Sequence, residues 1–265
     1  MKIAYWGIPG SHILEAINTH YPDHEYISCR GFTELRYTCL SDEADAVFLA
    51  VDDTIGSSIK KAYILMEENI FQISTEINHP ICHCLLAIPG VAIEKIQTVL
   101  ASPETLIQCK SIIEKIGWEA VEYWGDAESA RAIAEEKMTS TAAIASRKCA
   151  DIYKLSVLKE DIGNIKKNII RYLMLEKNQN EEEVHKITFA FRLPHIQGSL
   201  TEFLGIIASH GLNLTKIESM QIPEEPYHYE FFAELEVREK RWRLCIEELK
   251  MKAEKLKMLG AYIIK

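Results

Sequence analysis

The sequence predicts an α/β architecture for about its first 175 residues and a smaller βαββαβ module beyond residue 185. Three observations carry this expectation. Strand-like and helix-like runs alternate from the N-terminus onward, the rhythm of a sheet flanked by helices. The stretch E-K-N-Q-N-E-E-E-V-H (176–185) is polar and without core residues, as a linker is. After it, strand, helix, strand, strand, helix and strand fit into about 80 residues, the split ferredoxin-like motif.

Taken in order, Lys2–Trp6 begins as a strand, and G-I-P-G-S-H turns into a helix over Ile13–His20. Ala46–Val51 reads as a buried strand and Ile59–Glu67 as a helix. A second αβ block runs from about Ile81 to Ile144. It holds the strand C-H-C-L-L-A-I, one helix through S-P-E-T-L-I-Q-C-K-S-I-I-E-K-I-G, and the strand E-A-V-E-Y-W. Ser102 and Pro103 suit the N-cap and first turn of that helix. An alanine-rich helix, Glu128–Glu136, precedes T-A-A-I-A-S. The run N-I-I-R-Y-L-M-L (168–175) reads as a buried strand. In the tail come I-T-F-A-F, the helix L-T-E-F-L-G-I-I-A-S-H-G, L-N-L-T-K-I-E-S, a turn at I-P-E-E-P-Y and Y-E-F-F-A-E-L-E-V. A charged helix over Arg238–Leu259 and the strand A-Y-I-I finish the chain.

A hydrophobic fraction of 48% and a mean hydropathy of −0.07 describe a globular protein with a substantial core. The net charge of −9 argues against nucleic acid, which needs a basic face. Lys240-Arg241-Trp242-Arg243 alternates with Glu on a helical pattern, as a solvated face does. No run reaches the roughly 18 apolar residues of a membrane helix, and the N-terminus carries no signal-peptide pattern. A cytoplasmic location is therefore expected. Seven scattered cysteines fit reduced thiols better than a disulfide framework. His79, Cys82, His83 and Cys84 crowd together, but zinc ligands usually come in pairs from two loops. On one apolar strand, neighbours face opposite ways, so no metal site is expected.

Arg171 interrupts an apolar run, and a buried guanidinium is costly unless an anion or acceptors meet it. Arg171 either makes an internal ion pair or sits at the mouth of the strand, or it holds the carboxylate of a small substrate.

Several strings at family-like intervals resemble prephenate dehydratase with a C-terminal ACT regulatory domain. They are P-I-C-H-C-L-L-A-I-P-G (Pro80–Gly90), L-I-Q-C (Leu106–Cys109), A-A-I-A-S (Ala142–Ser146) and I-R-Y-L-M-L, then Gly198-Ser199-Leu200 and H-G-L-N-L-T-K-I-E-S (His210–Ser219). The resemblance implies a two-lobed, periplasmic-binding-protein-like dehydratase domain over 1–175. Lobe one takes about 1–76 plus 150–175, and lobe two about 77–149. Residues 176–185 are the linker and 186–265 the ACT domain. The implied reaction couples decarboxylation of prephenate to loss of hydroxide, giving phenylpyruvate, CO2 and water for L-phenylalanine biosynthesis. It needs a proton for the hydroxide and cationic or amide groups for a small dianionic substrate. No metal or organic cofactor is implied.

The chain departs from the family strings in one direction. The threonine of T-R-F is Ile170, which can neither donate nor accept. P-I-E-N-S aligns with Ala50-Val51-Asp52-Asp53-Thr54, so an amide becomes an acid. In S-H-P-Q-A-L, Ala101 replaces serine, Ser102 histidine and Glu104 glutamine. Gly7 and Gly10 persist in Trp6–Ile13 while the family's glutamine and serine there are lost. Added carboxylates repel a dianion unless protonated. The resemblance thus points to Arg171, Glu104 and Asp53 as catalytic groups, with His12 a further candidate acid. Glu104 also suits a helix N-terminus simply as a charge. Gly7, Gly10, Asp52, Thr54, Ala101, Ser146 and Asn168 are the expected substrate-binding positions.

Three functions are compatible with these residues: a dehydratase with a rearranged acid, a decarboxylase that never expels hydroxide, or a non-catalytic ligand sensor. The ACT resemblance implies an amino-acid effector, phenylalanine or another, at an interface between chains of a homodimer or homotetramer. Its expected contacts are Gly198, Ser199, Leu200, Asn213, Leu214, Glu218 and Ser219. Met220 and Gln221 replace the arginine and proline of the family's E-S-R-P.

Overall fold

The computed structural model describes residues 1–53, 60–68, 70–177, 183–222, 225–238 and 241–265, the side chains of Asp53 and Lys60 excepted. Expectations falling on Thr54, on the Asp53 side chain, and on residues 59, 178–182, 223–224 and 240 lie outside the described residues.

In chain order the elements are β1 (Lys2–Trp6), α1 (His12–His20), β2 (Glu25–Cys29), α2 (Phe32–Leu40), β3 (Ala46–Asp53), α3 (Lys60–Glu67) and β4 (Gln72–Pro80). Next come β5 (Cys84–Ala87), β6 (Thr98–Ala101), α4 (Pro103–Gln108), α5 (Lys110–Ile116), β7 (Glu119–Glu122) and α6 (Asp126–Glu136). Then follow β8 (Thr141–Ala145), α7 (Arg147–Tyr153), β9 (Ser156–Lys159) and β10 (Ile169–Glu176). The last are β11 (Lys186–Arg192), α8 (Ser199–Ser209), β12 (Asn213–Gln221), β13 (Tyr229–Glu236), α9 (Trp242–Lys252) and β14 (Lys255–Ile264). Among the described residues no helix is long and apolar enough to cross a membrane.

The chain forms two units. The first comprises Met1–Ala44, the described part of Phe48–Ser58, and Asn78–Tyr172; the second comprises Asp45–Val47, the described part of Ile59–Ile77, and of Leu173–Lys265.

The first unit holds two groups of strands. In one, β10, β3, β1 and β2 lie side by side, with β1 parallel to β2. Phe48 and Tyr172 stack across it at 5.0 Å, their planes nearly parallel at 15°. The other is a five-stranded sheet in the order β7-β6-β8-β5-β9. Its central strands read as unbroken apolar runs because both faces are covered. Leu85, Ala87, Ala142 and Ile144 enter one core cluster with Val99 and Ile113. Cys84, Leu86, Ala143 and Ala145 enter another with Ala130 and Ile133 of α6. Period-two alternation thus feeds two cores from one sheet.

The second unit carries the βαββαβ module, with strand order β12-β13-β11-β14. Phe189, Phe191 and Phe203 form its centre, together with Trp242, Cys245 and Leu249 of α9. The rings of Phe191 and Phe203 stack at 4.1 Å. Lys186 is buried in this unit, where its ammonium donates to Glu76 at 2.7 Å and lies 3.8 Å from Glu234. One buried cation between two carboxylates is tolerated because each charge is met.

Three elements differ from expectation. The helix after Ser102 is broken at Cys109, because Asn164 inserts itself: its amide N–H donates to the Gln108 carbonyl at 2.7 Å, and its side-chain oxygen accepts from Ser111 N at 3.1 Å. The C-terminal helix ends at Lys252, and K-L-K-M-L instead pairs antiparallel with β11. The strand expected over Cys82–Ile88 begins only at Cys84, so His83 lies outside it.

Gly260 marks the parallel pairing of β14 with β4, opposite Ile73. A Cβ on Gly260 would stand 2.5 Å from the Ile73 carbonyl oxygen, and backbone cannot yield as a flexible side chain can. Gly260→Ala should therefore cost about 1–3 kcal/mol, read as a lower urea midpoint; an unchanged midpoint would show that the pairing is not tight.

Candidate active site

Arg171 on β10 reaches Asp52 on β3. Its Nε donates to Oδ1 at 2.8 Å and its Nη2 to Oδ2 at 2.9 Å, a bidentate fork. The side chains are 11% and 23% exposed, so solvent screens the pair only in part. The chain itself thus supplies a carboxylate to the guanidinium, an internal ion pair. Ile170, at the family's threonine position, is half-buried beside it.

A second cluster centres on Gln108. Its Oε1 accepts from His83 Nε2 at 2.5 Å and from Asn168 Nδ2 at 2.6 Å. All three side chains are buried. The Asn168 carbonyl takes the amide of Ile81 at 2.9 Å, and the His83 carbonyl takes that of Ile162 at 3.0 Å. Burial, and then the neighbouring His12, hold the His83 imidazole below the usual histidine range. Because an amide oxygen can only accept, His83 Nε2 carries the proton shared with Gln108.

His12 opens α1 and meets His83 edge-on, ring centroids 5.3 Å apart. Both His12 nitrogens and His83 Nδ1 are buried without a hydrogen-bond partner. His12 Nδ1 stands 3.6 Å from Glu15 Oε2, and His12 holds the Glu15 carboxyl below its usual range. Asp126 opens α6. Its Oδ1 accepts from Ser102 N at 2.9 Å and its Oδ2 from Thr105 Oγ1 at 2.7 Å. As expected from sequence, Ser102 also caps α4, accepting from Thr105 N.

The N-terminal loop is tied down nearby. Gly10 has a φ of +96°, and a Cβ there would lie 2.7 Å from Cys149 Sγ. Ser146 Oγ donates to the Gly10 carbonyl at 2.6 Å, and Tyr153 donates to that of Pro9 at 2.7 Å. Gly7 donates to Cys29 O at 2.9 Å. The structure thus brings Asp52 to Arg171, Ser146 to Gly10, and Asn168 to Gln108. Ala101 is buried on β6, whereas Glu104 is exposed in the first turn of α4, a setting for a helix-terminus charge. Sequence reasoning missed Asp126 and the roles of Gln108 and His83. The signal available was one polar residue inside each apolar string, L-I-Q-C and P-I-C-H-C.

In the βαββαβ module, Gly198 caps α8 with a φ of +92°. Ser199 donates to the Pro194 carbonyl at 2.8 Å. Ser199 and Leu200 line a hollow with His195, Tyr229 and Phe231. Asn213 lines a different one, with His210 and Arg241. Leu214, Glu218 and Ser219 lie along β12, where Lys216 stands 3.7 Å from Glu218.

Comparison with known proteins adds the lineage. The family model described as prephenate dehydratase matches residues 3–180. The Arabidopsis thaliana protein named arogenate dehydratase/prephenate dehydratase 2, chloroplastic, is 30% identical, over 99% of this chain and 72% of its own length. A prephenate dehydratase solved with L-Phe from Arthrobacter aurescens superposes with a TM-score of 0.89 at 23% identity, covering 99% of this chain and 90% of that one. A protein described as GqqA, a quorum quenching acylase, gives the same TM-score and identity over 100% and 98%. At that identity the likeness is one of fold.

Cys82 is exposed and the other six cysteines are buried. Burial pushes the Cys109 and Cys149 thiols up to about 12, far from the thiolate that alkylation requires. Iodoacetamide should label the native protein at Cys82 alone and the denatured protein at all seven cysteines. Labelling of native Cys149 as fast as Cys82 in a mass spectrum would show instead that the Gly10 contact opens readily.

Proposed function

The chain belongs to the prephenate dehydratase family, and from that premise we propose that it is a dehydratase converting prephenate to phenylpyruvate, CO2 and water in aromatic amino acid biosynthesis. The observation that carries this reading is the family match across residues 3–180. Arg171 is the anchor for a substrate carboxylate, which must share or displace Asp52. Asp53 and Glu104 stand where the family strings carry neutral amides, and one of them supplies the proton to the leaving hydroxide. Ile170 takes no part in that transfer.

A second substrate is favoured by one contact. Arogenate bears an ammonium where prephenate bears a ketone, and Asp52 places a carboxylate at the Arg171 fork. That charge repels a dianion and attracts an ammonium. Relatives named arogenate dehydratases agree with this alternative.

We read residues 186–265 as an ACT domain, 176–185 as its linker and 1–175 as the dehydratase domain. An amino acid binds between paired chains at Gly198, Ser199, Leu200, Asn213, Leu214, Glu218 and Ser219. The bound L-Phe of the Arthrobacter aurescens protein supports an effector of this class.

Purified protein given prephenate or arogenate should form phenylpyruvate or phenylalanine, respectively. Ile170→Thr should raise kcat, by about two orders of magnitude where one lost donor dominates. Asp52→Asn should lower KM for prephenate and raise it for arogenate. Substrate loss without an aromatic product would replace this reading with a decarboxylase; no loss of either substrate would leave a ligand sensor. A thermal midpoint raised by one of the twenty amino acids would identify the effector.

A further inference from the structure

We propose that His12, His83 and Asp126 form a binding site for a divalent transition-metal ion, best matched by Zn2+. One ring nitrogen of each histidine and one carboxylate oxygen of Asp126 lie within 4.8 Å of one another. Zn–N distances of about 2.0–2.1 Å place tetrahedral donors roughly 3.3 Å apart. Side-chain rotations shifting each donor by about an ångström therefore close the set.

The residues around the donors fit the same use. Both His12 nitrogens and His83 Nδ1 are buried without a hydrogen-bond partner. Buried polar atoms are rarely left so, and here they converge. A ligating histidine usually donates its other N–H to a carbonyl or carboxylate, which fixes the tautomer. His83 does so: Nε2 donates to Gln108 Oε1, leaving Nδ1 as the ligand. His12 Nδ1 faces Glu15 at 3.6 Å, leaving Nε2. Asp126 already accepts two hydrogen bonds, but a carboxylate offers about four lone-pair sites. Two imidazole nitrogens and one carboxylate oxygen suit a borderline ion such as Zn2+, whereas Mg2+ prefers oxygen ligands. Three protein ligands leave the fourth position open.

The site was hidden because its donors come from three separate segments. The visible crowd of His79, Cys82, His83 and Cys84 contributes only His83.

The test uses the full chain, stripped with EDTA and titrated with Zn2+ by calorimetry, then with Co2+ by visible absorption. One ion should bind per chain, with the intense d–d bands of tetrahedral Co2+, and Zn2+ should raise the thermal midpoint. His12→Phe and Asp126→Asn should each weaken affinity at least tenfold. Both should fold, since the histidine nitrogens make no hydrogen bond and asparagine can keep contacts to Ser102 and Thr105. Gln108→Met, which only orients His83, should weaken affinity about 10–100-fold. Cys82→Ser should change nothing. Absence of saturable binding, full affinity in a folded His12→Phe or Asp126→Asn protein, or loss of binding in Cys82→Ser would overturn the proposal.

Discussion

A single carbonyl oxygen, Oε1 of Gln108, fixes the geometry on which the candidate site depends. It accepts from His83 and from Asn168, so it joins the end of α4, the approach to β5 and the approach to β10. Each donor is buried and must find an acceptor. A leucine at Gln108 would take this acceptor from both, at about 1–3 kcal/mol for a buried donor left unpaired. The backbone repeats the connection, because Asn168 also accepts from Ile81 and the broken helix leaves the Gln108 carbonyl to Asn164. The break at Cys109 is thus what turns Gln108 and its carbonyl toward two different segments.

The Arg171–Asp52 fork sets a second constraint. Both charges are largely withdrawn from water, and removing one partner of such a pair typically costs more than the pair contributes. A substrate carboxylate that displaced Asp52 would leave that acid to find water or a proton. One that shared Arg171 would need a positive group of its own near Asp52. On the proposed dehydratase reading, the choice between keto and amino substrates is therefore a question of charge balance at one guanidinium.

Much of this was legible in the sequence wherever local pattern decides structure. The apolar run around Arg171 gives β10, Ser102-Pro103 gives the start of α4, and the alternation in L-L-A and A-A-I-A gives two buried faces. What local pattern does not carry is pairing between distant segments. Asn164 splits a helix that periodicity alone would continue to Ile116. The lysine-rich K-L-K-M-L continues a helical charge pattern, yet it begins β14 because β11 offers it an antiparallel ladder. Asp126 lies before the helix expected from Glu128, yet it opens α6, and its carboxylate accepts from Ser102 and Thr105 at the start of α4. Glu104 is the mirror case: alignment with a family glutamine points to chemistry, while its exposed place in the first turn of α4 also suits a helix-terminus charge.

The two constraints meet in β10. Asn168 leads into the strand that carries Arg171, and Gln108 links Asn168 to His83. An ion drawing on His83 Nδ1 polarises the imidazole, so the Nε2 proton is held more strongly by Gln108 Oε1. That oxygen is then less free to release Asn168 or to rotate. Metal binding at the proposed site would tighten the support beneath the strand without touching the guanidinium. The lever is short because each step is a buried hydrogen bond in a low-dielectric setting, where such bonds strengthen and an orphaned group is most costly.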